Sequence, residues 1–213
     1  MRPEEFCEFL HQEQASAILR TPHGDRAVPA MRAAARAGFK VLEFTMTIPN
    51  ALGAIETLAG EVDGVVGAGT VLTVEQARDA VSAGARFLVS PVCDPAIIDV
   101  AQELGVACIP GCFTPTEMLT AHRAGAPLVK LFPIPGTGPS FVRAVLGPLP
   151  DLRIVPTSGV TGENVADYLA AGAFAVGFVT PLFHSSDIER EDYDKIEDRG
   201  RTLLDACRAA RRL

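Results

Sequence analysis

Short apolar runs, rich in β-branched and aromatic residues, alternate along this chain with longer stretches in which apolar positions recur every three or four residues. The first pattern predicts buried strands and the second amphipathic helices. A leading helix is predicted over residues 3–12, then a strand at 15–20 and an alanine-rich helix over 25–37 that Gly38 ends. A strand at 40–46 leads into a helix capped by Asn50 and running to about residue 58. An apolar run at 64–68 precedes Thr73-Val74-Glu75-Gln76, a capping box whose helix Gly84 ends. Strands at 86–90 and 106–109 flank a helix over 94–104. Thr114-Pro115-Thr116-Glu117 supplies a cap, Pro at N1 and Glu at N3 for a helix ending at Gly125. A strand at 128–133 is followed by a glycine-rich loop (Gly136-Thr137-Gly138) and a helix over about 140–146. A strand at 152–156 precedes a helix over 161–171, and the last strand, 173–178, precedes a long helix from about Tyr193.

Eight strands, each followed by a helix, predict a single-domain (β/α)8 TIM barrel over residues 1–213 with a short N-terminal helix, in preference to an open doubly wound sheet. Ala-Gly pairs at 37–38, 83–84, 124–125 and 171–172 read as helix C-caps leading into the next strand. The repeat units are minimal, so any chemistry is expected close to the strand ends.

Composition acts mainly by exclusion. Hydrophobic residues make up 48% of the chain, enough for a sizeable core, yet no apolar run reaches transmembrane length. Met1-Arg2-Pro3-Glu4-Glu5-Phe6 places acids where a signal peptide would need an apolar core. A net charge of −7 without a basic stripe argues against nucleic acid. The basic end, Arg208, Arg211 and Arg212, reads as a complement to the dipole of the last helix. Five cysteines, odd in number and without Cys-x-x-Cys or Cys/His spacing, read as thiols in a reducing compartment. A cytoplasmic location with neither metal nor cofactor is therefore expected.

Two ionisable residues interrupt otherwise apolar strands. Lys130 is enclosed by Leu128, Val129, Leu131 and Phe132, and Glu43 by Val41, Leu42 and Phe44. Burial disfavours an ammonium ion, so the amine is expected to be partly neutral near neutral pH. A neutral amine can attack a ketone, giving a protonated imine that serves as an electron sink. In an eight-stranded barrel the second and sixth strands are opposed and share a side-chain layer, so Glu43 and Lys130 are expected to meet across the interior. A carboxylate there can shuttle protons. The residues also allow a structural Glu–Lys bridge, although desolvation offsets most of its attraction.

Other positions carry weaker signals. Gly67-Ala68-Gly69 resembles a dinucleotide loop but lacks the third glycine. Arg20 closes the first strand and would hold its guanidinium at the mouth, suited to a carboxylate or phosphate, or else lie on the surface. Pro91 and Phe132 read as pocket walls or as plain packing. His11, His23, His122 and His184 are scattered and expected to be solvated.

Leu42-Glu43-Phe44-Thr45, Val66 to Leu72, Phe87 to Pro91, Ile109-Pro110-Gly111, Val129 to Pro133 and Pro156-Thr157-Ser158-Gly159-Val160 together resemble the ordered motifs of the 2-keto-3-deoxy-6-phosphogluconate and 4-hydroxy-2-oxoglutarate aldolases. The resemblance implies a class I aldolase that releases pyruvate and an aldehyde, glyceraldehyde 3-phosphate or glyoxylate. In it Lys130 forms the Schiff base, Glu43 is the general acid/base and Thr70 contacts the pyruvate moiety. It further implies a homotrimer without metal. Two departures stand out. The family's Glu-x-Thr-x-Arg pattern has Thr47 in place of the arginine that grips the carboxylate, leaving Arg20, Thr47, Thr70 or backbone amides for that task. The phosphate site expected after strands seven and eight has Ser158-Gly159 for paired glycines and Gly177-Phe178-Val179 for Gly-Gly-Ser. A smaller or non-phosphorylated aldehyde half is one consequence; Gly136 to Ser140 is a candidate to hold the distal end instead. The same departures leave open a non-catalytic or repurposed barrel that binds a small oxo acid, and a phosphosugar-isomerase or thiamine-phosphate type barrel needing no imine.

Overall fold

The computed structural model of the protein describes residues 1–211, so Arg212 of the basic end lies outside the described residues. The chain begins with α1 (Pro3–Glu13), β1 (Ala15–Leu19), α2 (Gly24–Ala37), β2 (Val41–Thr45), α3 (Ala51–Ala59) and β3 (Val65–Gly69). It continues through α4 (Val74–Ser82), β4 (Phe87–Val89), α5 (Pro95–Glu103), β5 (Ala107–Ile109), β6 (Gly111–Cys112) and α6 (Pro115–Arg123). The remainder is β7 (Val129–Leu131), α7 (Pro139–Leu146), β8 (Ile154–Pro156), α8 (Val165–Ala170), β9 (Val176–Phe178), α9 (Ser185–Glu189) and α10 (Tyr193–Ala210). Thr73, Asp94 and Thr114 cap α4, α5 and α6 by accepting backbone N–H bonds.

All strand pairings are parallel. Six strands form one curled sheet in the order β5-β4-β3-β2-β1-β9, and β6-β7-β8 form a second. The strand expected at 106–109 continues past its end as β6, interrupted at Pro110, which has no N–H to contribute to a ladder. The Pro110 carbonyl still accepts from Lys130 N–H at 2.9 Å. At the other edge, Thr157, just past β8, pairs with Gly177 of β9 in a single bridge.

Strand side chains alternate between two cores, as a two-residue period requires. Leu42 and Phe44 of β2, Val129 and Leu131 of β7 and Val176 and Phe178 of β9 pack outward under the helices. Val41, Val65, Phe87, Val89, Ile109 and Val155 point inward and form a separate apolar cluster. Phe6, Cys7 and Leu10 of α1 complete that inner cluster, and Phe6 stacks on Phe87 with ring centroids 4.7 Å apart. Gly67 makes the stack possible, because a Cβ there would overlap the Phe87 ring.

Two features fix the C-terminal part of the chain. Gly200 lets α10 press on α2, where a Cβ would come within 2.5 Å of the Ala37 Cβ, and Arg36 pairs with Glu197 at 2.6 Å across the same contact. α9, absent from the sequence expectation, is held from both sides. Arg26 donates to the Glu189 carbonyl at 2.7 Å, while Arg199 donates to the Leu182 carbonyl and pairs with Asp187 at 2.7 Å. Among the described residues no helix is long and apolar enough to cross a membrane.

Candidate active site

Glu43 and Lys130 share the inward parity of their strands, so both side chains enter the inner core. They line one enclosed cavity with the hydroxyls of Ser16 and Thr157 above an apolar floor that includes Phe6 and Leu10. The cavity has about 10 Å³ open to the centre of a water molecule, room for about one water. Glu43 is 2% and Lys130 7% exposed. Oε1 of Glu43 has no hydrogen-bond partner among the described residues. A carboxylate oxygen buried without a partner is costly, and here it borders the space where a small polar group would fit.

Burial pushes the Lys130 ammonium below the ordinary lysine value and the Glu43 carboxyl above the ordinary carboxylate value. Their mutual attraction opposes both shifts and is the smaller effect. The positive charge of Arg20 adds to the shift of Lys130 and opposes that of Glu43. The ammonium nitrogen lies 5.1 Å from the centroid of the Phe132 ring. Such a pair offers an amine that is readily deprotonated beside a carboxyl that readily holds a proton.

Gly69 is the position that sequence reasoning missed most clearly. A Cβ there would fall 2.5 Å from Cδ and 2.9 Å from Cγ of Glu43, so only glycine leaves the carboxyl group its place. Gly67 and Gly69 are thus clearances for Phe87 and Glu43, which explains the two glycines without a nucleotide. Their signal in the sequence is the alternation itself: both are inward positions of β3.

The other expected residues fall into three places. At the mouth, exposed Arg20 donates through Nη2 to Thr70 Oγ1 at 3.1 Å, and Thr70 holds a left-handed φ of 58°, a strained conformation for a β-branched residue. Thr47 is exposed there too, with Oγ1 3.0 Å from Oγ1 of buried Thr45. Pro91 and Phe132 are brought together around a separate recess of about 310 Å³ that Gly111, Phe113 and Thr116 also line. On the rim, Ser158 and Gly159 are exposed with φ of 73° and 91°, and Asn164 donates to the Gly159 carbonyl. Gly177 is buried instead, because a Cβ would meet Ile18 at 2.6 Å and Thr157 at 2.8 Å. The Gly136–Ser140 loop closes on itself, Ser140 Oγ donating to the Thr137 carbonyl at 2.9 Å.

Known proteins resemble this chain over most of its length. The family model described as KDPG and KHG aldolase matches residues 7–199. A probable 2-dehydro-3-deoxy-6-phosphogalactonate aldolase of Rhizobium meliloti (strain 1021) is 38% identical over 170 residues, covering 78% of this chain and 80% of that protein. A KHG/KDPG aldolase of Escherichia coli (strain K12) is 32% identical over 186 residues, covering 86% and 87%. The solved structure of a KDPG aldolase from Legionella pneumophila, with pyruvate captured as a covalent carbinolamine intermediate, superposes with a TM-score of 0.85 at 26% identity, covering 92% of this chain and 97% of that one.

Proposed function

Because the chain belongs to the KDPG and KHG aldolase family, and is a class I aldolase and carbon–carbon lyase, we propose that Lys130 and Glu43 are its catalytic pair. The observation that carries this assignment is the buried amine and the unpartnered Oε1 of Glu43 on one enclosed cavity. The neutral Lys130 amine adds to the C2 carbonyl of a 2-keto-3-deoxy or 4-hydroxy-2-oxo acid, and loss of water with uptake of one proton from solvent gives the protonated imine. Glu43 as carboxylate takes the C4 hydroxyl proton; the C3–C4 electron pair moves to the imine nitrogen, releasing the aldehyde and leaving an enamine. Glu43 returns the proton to C3, and hydrolysis frees pyruvate and the amine. No metal or cofactor takes part in these steps.

Arg20 takes the place of the missing arginine at position 47. Its tether to Thr70 and its electrostatic influence on both catalytic groups support a guanidinium at the mouth, where it would grip the substrate carboxylate with help from Thr47 and Thr70. Exposed, left-handed Ser158 and Gly159 support an anion site for the distal end of the substrate. Gly177 leaves Ile18 and Thr157 the room to line the cavity, and Phe132 lies over the Lys130 amine. We take the substrate to be a phosphorylated 2-keto-3-deoxy acid or 4-hydroxy-2-oxoglutarate, and the Rhizobium relative makes the galactonate epimer the first to assay.

The continuity of β5 and β6 through Pro110 and the Thr157–Gly177 bridge support one closed (β/α)8 barrel in a single domain. Leu72, Val74, Val92 and Phe113, at 38–49% exposed, follow the neighbouring strands β3, β4 and β6 and support burial in a homotrimer. Five free cysteines support a cytoplasmic location. Incubation with pyruvate and sodium borohydride, followed by peptide mapping, should place a reduced adduct on Lys130; an adduct elsewhere, or none on folded protein, would overturn the assignment.

A further inference from the structure

We propose that Phe6 is a positioning residue of the aldol chemistry: reaching in from α1, it closes the floor of the cavity and keeps water from the face of Lys130 and Glu43 that the mouth does not serve. The proposal rests on the reading of Lys130 as the imine-forming residue. Phe6 and Leu10 are the side chains of α1 that line this cavity, and Phe6 is fully buried although it belongs to the N-terminal helix. Its ring is fixed by the stack on Phe87, 23° from parallel, which Gly67 in turn permits. With the ring in place the cavity has about 10 Å³ open to a water centre. Truncating the ring would leave a void at the barrel end, beside a hydroxyl, a carboxyl and an amine that can all bind water.

The groups that face the amine define what a wet floor would change. Glu43 faces it from β2, and Arg20 acts on it from the end of β1. Cys7 of α1, in the inner cluster but outside the cavity lining, lies beside Arg153, its thiol pushed up by burial. The lining from β1, β4, β5 and β8 is aliphatic, aromatic or hydroxylic. Desolvation is the largest influence on Lys130, and Phe6 adds apolar bulk to the cavity in which the amine sits.

The test uses the full chain as wild type, Phe6→Ala and Phe6→Leu, each treated with pyruvate and borohydride across a pH series while the Lys130 adduct is quantified. Water admitted through the floor restores the ammonium form, so the trapping midpoint of Phe6→Ala should move up by about one pH unit, with trapping about tenfold slower below it. Phe6→Leu, which keeps the floor apolar and nearly filled, should return the wild-type profile. A folded Phe6→Ala with an unmoved midpoint would reduce Phe6 to packing and overturn the proposal. Should Phe6→Ala fail to fold, Phe6→Val carries the same test with a smaller opening. Absence of any Lys130 adduct in the wild type would instead remove the imine reading itself.

Discussion

Gly69→Ala isolates the placement of Glu43, the proposed general acid/base, from every other part of the site. The added methyl would lie 2.5 Å from Cδ and 2.9 Å from Cγ of Glu43, well inside any tolerated contact. Either β3 moves or the carboxyl swings away, and the cavity, with about 10 Å³ open, gives it nowhere close to go. A displacement of about 1 Å at a reacting group lowers rate by about 10²-fold, close to 2.7 kcal/mol of barrier. Overpacking would also destabilise the fold by about 1–3 kcal/mol, which a melting curve separates from the catalytic effect. Since Lys130 is untouched, the borohydride-trapped pyruvate adduct should still form while kcat for cleavage, followed by coupled pyruvate release, falls about 10²-fold. A folded Gly69→Ala enzyme within threefold of wild-type kcat would refute the reasoning.

Further expectations concern the rest of the site. Arg20→Ala should raise KM for oxo acids about tenfold to a hundredfold, the worth of a charged hydrogen bond, and should move the Lys130 trapping midpoint to higher pH because a repelling charge is gone; an unchanged KM would free Arg20 of the carboxylate. Burial holds Lys130 below 10.5, its ordinary value, so the unfolded chain binds more protons and stability rises with pH through the window beneath 10.5. Replacing both buried groups at once, Glu43→Met with Lys130→Met, removes that penalty and should raise the melting temperature by several degrees with no activity left, as about 1–4 kcal/mol of relief implies; a lower melting temperature would show the pair to be a stabilising bridge. Val92→Asp with Phe113→Asp should yield monomers in light scattering, and persistence of a trimer would place its interface elsewhere.

Much of this arrangement was legible because a strand packed on both faces must be apolar throughout, which makes an intruding Glu43 or Lys130 conspicuous. Caps at Thr73 and Thr114 were legible for the same local reason. What was not legible depends on neighbours far along the chain. Gly69 matters through the register that sets Glu43 beside Gly67 on the adjacent strand, and no window of sequence contains both strands. Phe6, Leu10, Ser16 and Thr157 looked ordinary until the cavity they share was seen. The helix expected over 161–171 shortens to Val165–Ala170 because the Asn164 side chain accepts the Thr161 N–H and holds the preceding turn open. α9 depends on Arg26 and Arg199, which reach it from two other helices.

The seam between α2 and α10 sets the order of assembly during synthesis. Ala37 and Gly200 meet tightly enough that neither helix can bury this face alone, yet nearly the whole chain separates them. On the ribosome the early βα units therefore emerge with an open flank, and the final seam waits until α10 has cleared the exit tunnel. Until β9 emerges to pair with it, the outer edge of β1 is the surface most in need of a chaperone.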